Sequence, residues 1–255
     1  MRYHYTDTYL LEYLAEDIFS GKQVLEVGCG QGIDASEILK YCASYVGVDL
    51  SGRSLEIAWS ELRKLEPAGP PSLLSGQDAE RLAFKDNAFD VVFSIGVLHH
   101  TANFEDALGQ IHRVLRKEGI LILMLYRSYT PLWLAIRLVR GIFRLPLLGP
   151  KVREMFLDSL RGNITAETSA LSGTALLELI GCPIINTYSV RDLGRYFSDR
   201  FFILDTQSFR TGFDQLVRFL PEKLRKHWPQ RIIGEVEEKT RGWLGFYLVV
   251  VAEKQ

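Results

Sequence analysis

Apolar runs and helical patterns take turns along the first half of the chain. QVLEVG (23–28) is a short apolar run that closes on a glycine, and a helical stretch follows from Ile33 to Cys42. SYVGVDL (44–50) is a second run ending at an aspartate, after which Ser51 reads as the N-cap of a helix through Lys64. PSLLSG (71–76), AFDVVFSIG (88–96) and ILILMLY (120–126) predict the third, fourth and fifth strands. Between the last two, FEDALGQIHRVLRKEG repeats Leu108, Ile111 and Leu115 at helical spacing, with Gly119 as the stop. Strands alternating with helices predict βαβ units and a parallel sheet covered on both faces.

The second half is less regular. Residues 127–190 read mostly as helix and loop. FFILDTQSF (201–209) and WLGFYLVVVAE (243–253) predict two more strands. A basic helix over 213–239, interrupted by Pro221 and Pro229, joins them. LEPAGPPS (65–72) reads as a loop. Residues 1–255 are read as one domain, with 127–190 as a helical insertion or cap on one edge of the sheet, expected to face the substrate.

Composition narrows the class. The 255 residues are 47% hydrophobic and 24% charged, ordinary globular usage that excludes a disordered chain. Three cysteines, at 29, 42 and 182, offer no disulfide framework and no C-x-x-C pair. That pattern makes a reducing setting without structural zinc the expectation, and the polar, acidic start and the lack of a spanning apolar run make a cytoplasmic one the expectation. The net charge of −1 conceals an asymmetry: residues 1–126 balance at −7 and residues 127–255 at +6. The halves are therefore expected to face different partners.

The densest chemistry lies in VLEVGCGQGIDA (24–35), where a strand runs into Gly28-Cys29-Gly30-Gln31-Gly32 and then a helix. Glycines permit positive φ and let a ligand approach the backbone. The spacing is G-x-G-x-G, with Ile33 where a dinucleotide fingerprint places its third glycine, so a smaller nucleoside fits better than a pyrophosphate. A tight turn without ligand is the bland alternative. Asp49 ends the second strand, 21 positions after Gly28, where a carboxylate can take both ribose hydroxyls.

VLEVGCGQG resembles the first motif of the class I S-adenosylmethionine-dependent methyltransferases, and VGVDLS their second-strand acidic motif. GQDAERLAFKDNAFDVVFSIGVLHH and IHRVLRKEGILILM are similar to the third- to fifth-strand region of the type 11 subgroup. Together they cover residues 20–126 in order. One departure is Leu82-Ala83-Phe84 where the subgroup has L-P-F. The resemblance implies an α/β fold with a Rossmann-like seven-stranded methyltransferase sheet, its last strand antiparallel, and helices on both faces. It implies S-adenosylmethionine as cofactor, leaving S-adenosylhomocysteine. Glu26 and the backbone of Gly28, Cys29 and Gly30, with Gly32 completing the bend, would hold the methionyl end. Asp49 would take the ribose, with Leu50 near the adenine. Asp78 and the Ala79 N–H would meet the adenine edge, and Ser94 and Ile95 would lie beside the methionyl moiety.

Methyl transfer from a sulfonium is an in-line displacement whose leaving group needs no acid. Alignment is the main demand, and proximity alone can contribute about 7–11 kcal/mol. A hydroxyl acceptor also needs a base. His100, then His99, are the candidates, because they follow the fourth strand at the carboxyl edge of the sheet. A purely structural Leu-His-His turn is the other reading, and both stay open. His112 reads as a surface residue. Tyr3 and Tyr5 are read either as lining the site or as packing on the sheet edge.

Residues 127–153 hold six basic and no acidic side chains among large apolar ones. Arg137, Arg140 and Arg144 share a helical face beside Trp133, Ile136 and Phe143. Three readings stand: a lid presenting an apolar wall and arginines to a hydrophobic, acidic substrate, a peripheral membrane contact through 132–145, or a plain core helix. Tyr126, Arg127 and Trp133 are the further substrate-binding candidates. A nucleic-acid substrate is disfavoured, since Ser94-Ile95-Gly96-Val97 replaces any D/N-P-P-Y motif and the isoelectric point is near 6.5. The expected function is methylation of a small-molecule acceptor, oxygen before nitrogen or carbon. The alternatives are a peripheral-membrane lipid or quinone methyltransferase and a cofactor-binding regulatory protein without activity. The pattern says nothing of oligomeric state.

Overall fold

Strand β1 (Gln23–Val27) buries four successive residues, which a strand does only when both of its faces are covered. It lies inside the sheet between β2 (Ser44–Asp49) and β4 (Phe89–Ile95), parallel to both. The computed structural model describes residues 8–64, 70–143, 146, 182, 184–209, 211 and 230–255. In chain order the remaining elements are α1 (Glu16–Phe19), α2 (Ala35–Ile38), α3 (Gly52–Leu62), β3 (Ser72–Gly76), α4 (Phe104–Val114) and β5 (Leu115–Tyr126). They continue with α5 (Pro131–Phe143), α6 (Val190–Phe197), β6 (Phe201–Phe209), α7 (Gln230–Leu244) and β7 (Tyr247–Lys254). The seven strands form one mixed sheet in the order β3-β2-β1-β4-β5-β7-β6, its last strand antiparallel, with helices around it. This is the Rossmann-like methyltransferase arrangement.

Local chemistry explains the helix starts. The Ser51 hydroxyl accepts from the Ser54 N–H at 3.2 Å, as the sequence predicts for the N-cap of α3. Asn103 caps α4 through Glu105 and Asp106 N–H, and its first turn carries those two acids. The stripe Phe104, Ala107, Leu108, Ile111 and Val114 is buried in the main core. Ser189 and Asp192 form a reciprocal capping box on α6.

Several expected boundaries move. Gly119 does not end α4, which stops at Val114 because Leu115 already pairs with Phe89 on β4. The next pair is Val91 with Ile120, so residues 116–119 form a bulge containing Glu118 at φ +61°. Gly119 is required there by space, since a Cβ would stand 2.8 Å from the Arg116 carbonyl oxygen. Arg116 braces the bulge, donating to Asp90 at 2.6 Å and to Gln23 at 3.0 Å. The helix expected over 33–42 is a single α-helical turn, Ala35–Ile38. The last strand begins at Tyr247, because Trp243 and Leu244 close α7. Of the helix expected over 213–239, residues 213–229 lie outside the described residues.

Two compact units are distinguishable. One comprises residues 1–126, 186–207 and 248–255, and holds β1 to β5. The other comprises 127–185 and 208–247. Within the second, α5 and α7 are described, together with Cys182 and Thr211. Much of the expected insertion, 147–181 included, lies outside the described residues. Among the described residues no helix is long and apolar enough to cross a membrane.

Candidate active site

The parallel register sets Val27 beside Val48 and lets the chain turn sharply after both. Gly28 and Cys29 N–H both donate to the Val48 carbonyl oxygen, at 2.7 and 3.0 Å, which bends the loop back over β2. Gly28 sits at φ +78°, and a Cβ there would lie 2.2 Å from a Val97 methyl carbon. Val97, just beyond β4, therefore roofs the bend and leaves room only for glycine. Nothing lies within 4 Å of the Cβ position at Gly30, which also has positive φ, so the backbone there faces open space. Gly32 closes the turn by donating to the Cys29 carbonyl oxygen at 2.9 Å.

Asp49 is joined to this bend directly. Its Oδ2 accepts from the Gly30 N–H at 2.8 Å and its Oδ1 from the Ser51 N–H at 2.8 Å. Each oxygen keeps a further lone pair, so the carboxylate can still accept from two hydroxyls. Asp49 is in register with Gly76 on β3, which brings the 77–79 turn alongside. Leu50 is 79% exposed, an apolar side chain next to that carboxylate. Asp78 is exposed and accepts from the Glu80 N–H at 2.9 Å, while Ala79 is buried. A flat apolar base over Leu50, a diol on Asp49 and a polar tail along Gly28–Gly30 match this surface, so the residues present fit an adenosine-bearing cofactor.

Beneath the bend lies a buried polar pair. Glu26 is opposite Gly47 on β2, and the missing side chain at 47 gives Tyr45 space to donate its hydroxyl to Glu26 at 2.7 Å. A Cβ at Gly47 would be 2.7 Å from that hydroxyl. Burial first, then Glu26 and Asp49, push the Cys29 thiol up to about 12, so it stays protonated. Tyr45 was not among the residues expected from the sequence. Neither was Val97, whose only signal is its position after β4.

Next to the bend lie the ends of β4 and β5. Ser94 is buried and its hydroxyl donates to the Val27 carbonyl oxygen at 2.9 Å, so it ties β4 to β1. Ile95 is buried beside it. Leu98–His100 form a 3₁₀ turn. The His99 ring is wholly buried, stacked on Tyr126 with ring centres 3.6 Å apart, and burial drives its pKa well below the usual imidazole value. His100 is half-buried, edge-on to His99 at 4.2 Å and at 90° to Tyr126. Of the two residues His100 is the less buried, although its Nε2 is itself shut from solvent. The turn is held from outside by Asn186, whose N–H donates to the His99 carbonyl oxygen at 2.8 Å and whose side chain donates to that of Thr101.

Other expectations are corrected. His112 is half-buried and edge-on to Phe201 rather than a surface group, because β6 packs against that end of α4. Tyr126 is buried under His99 rather than open to a substrate. Arg127 spends Nη1 on the Ser208 hydroxyl at 3.0 Å and the Gly242 carbonyl oxygen at 3.3 Å, a structural tie within its own unit. Trp133 is half-buried on α5. Tyr3, Tyr5 and Arg144 lie outside the described residues.

Comparison with known proteins bears on the class of the domain. The family described as "Methyltransferase domain" matches residues 25–123. An uncharacterized protein of Methanocaldococcus jannaschii is 33% identical over 134 residues, 52% of this chain and 48% of that protein. A phthiotriol/phenolphthiotriol dimycocerosates methyltransferase of Mycobacterium ulcerans is 38% identical over 105 residues, 40% of this chain and 37% of its own length. The chain thus matches about half or less of the length of these relatives. Magnesium protoporphyrin IX methyltransferase from Synechocystis, solved with S-adenosylhomocysteine, shares the fold at a TM-score of 0.59 and 15% identity, covering 98% of this chain and 81% of that one. Residues 25–123 thus carry a methyltransferase domain of the class I, S-adenosylmethionine-dependent kind. S-adenosylmethionine is the cofactor of that domain.

Proposed function

We propose that the protein transfers a methyl group from S-adenosylmethionine to the oxygen of a small, lipophilic acceptor. The observation that carries the cofactor half of this reading is the Gly30 N–H to Asp49 Oδ2 hydrogen bond. It fixes the open glycine bend and the carboxylate as one rigid piece. In this reading Asp49 takes the ribose hydroxyls and Leu50 supports one face of the adenine. Asp78 and the Ala79 N–H meet the adenine edge. Glu26, held by Tyr45, and the backbone of Gly28, Cys29 and Gly30 hold the methionyl end, with Ser94 and Ile95 behind it.

The cofactor supplies an electrophilic methyl on a sulfonium. The chain supplies alignment and a route for the acceptor's proton. His100, supported by the His99–Tyr126 stack, takes that proton. His99 acts as its positioning residue. Residues 127–190 are proposed to carry acceptor specificity as a cap. The lipophilic acceptor is supported by the name of one relative, a phthiotriol/phenolphthiotriol dimycocerosates methyltransferase.

Calorimetric titration with S-adenosylhomocysteine tests the reading. Asp49→Ala is expected to weaken binding by about two orders of magnitude, as two hydrogen bonds to a charged acceptor imply. Asp49→Asn, which keeps the shape and one acceptor, is expected to fall between. Unchanged affinity in Asp49→Ala would remove the carboxylate from the site and the reading with it.

A further inference from the structure

Helix α5 presents two unlike sides. Leu132 and Ile136, one turn apart, are buried, and the half-buried Arg140 donates to the Cys182 carbonyl oxygen at 3.2 Å. Leu134 and Leu138, also one turn apart on the other side, are 57% and 67% exposed, and exposed Arg137 flanks them. Ahead of the helix Tyr129 is 83% exposed, at φ +61°. Arg127, at the root of the segment, donates to Gly242 in the last turn of α7, and the next residue, Trp243, is 65% exposed. A surface helix ordinarily turns polar residues to solvent. Here leucines alternate with arginines in a stretch, 127–153, that has six positive and no negative side chains.

We propose that this outer face of α5 docks on an anionic lipid surface. Leu134, Leu138 and Tyr129 enter the boundary between headgroups and acyl chains, and Arg137 meets lipid phosphates. Charge selects this occupant over a second copy of the chain, because two segments with only positive charges repel each other. Length selects the orientation: 13 helical residues span about 20 Å, short of a hydrocarbon core of about 30 Å, so the helix lies in the plane of the surface. The inference goes beyond the methyl-transfer reading and does not need it.

Co-sedimentation of the full chain with vesicles of phosphatidylcholine, with and without about 30% phosphatidylglycerol, tests it. The protein is expected to pellet with the anionic vesicles and to be released at about 0.5 M salt, where the Debye length is only about 4 Å. Leu134→Ser/Leu138→Ser and Arg137→Glu are each expected to lower partitioning about tenfold, with S-adenosylhomocysteine binding retained as proof of folding. Wild-type protein that stays in the supernatant, or variants that pellet like wild type, would overturn the proposal. So would a dimer in the ultracentrifuge that dissociates in the double-serine variant, which would make the face an interface between copies. Because no cofactor or acceptor enters the vesicle measurement, its failure leaves the methyl-transfer reading standing.

Discussion

Gly28 shows how one residue joins local conformation to the site. Its φ of +78° excludes an unstrained side chain, and Val97 fills the space a Cβ would need. Gly28→Ala is therefore expected to destabilise the fold by about 2–4 kcal/mol, combining backbone strain with overpacking. Adding Val97→Ala should recover part of that loss, since the atoms struck are removed while the strained φ remains. Urea unfolding of the single and double variants checks this, and no recovery would show that Val97 is not the obstacle. Glu26 carries a similar lesson. Its place in the first motif is visible in the sequence, but the hydroxyl that holds it comes from Tyr45 on the neighbouring strand, through room left by Gly47.

At the scale of elements, the Leu82-Ala83-Phe84 loop departs from L-P-F for a reason. The Ala83 N–H donates to the Gln77 side chain at 2.8 Å, a bond that proline cannot make. Arg113, in the last turn of α4, clamps the same loop. It donates to the carbonyl oxygens of Leu82 and Phe84 at 2.7 and 2.6 Å, and to Asp86 at 2.8 Å. Helix α4 thereby holds the segment that follows Asp78 and Ala79. Arg113→Met should cost about 2 kcal/mol, or about 4–8 °C in melting temperature, with the surface pair to Asp86 contributing least. An unchanged melting curve would show that the loop is held by Gln77 alone.

For the whole molecule, acid sensitivity follows from His99. Its folded pKa is depressed, by burial first and then by His100, whereas the unfolded chain takes up a proton near 6.5. The sign follows: the unfolded state binds more protons as pH falls, so stability is complete above about pH 6.5 and declines below it. The slope from this group is at most about 1.4 kcal/mol per pH unit. His112 adds in the same direction, depressed by burial and by Lys254 and Arg200. Unfolding midpoints from pH 7.5 to 5 should fall for the wild type and fall less for His99→Leu. Parallel curves would assign the acid sensitivity elsewhere.

The strands, the glycine bend and Asp49 were legible in the sequence because each is a local pattern: an apolar run, a cluster of residues free of Cβ, an acid at a strand end. The resemblance extended that reading to Leu50, Asp78, Ala79 and the antiparallel last strand. Tertiary structure alone decided that β7 lies between β5 and β6, that β5 begins with a bulge, and that His99 is wholly enclosed while His100 is half-buried. It also decided that Tyr126 and Arg127 serve the framework. These depend on which distant residue fills the adjoining space, and a contact between remote positions leaves no periodic trace along the chain.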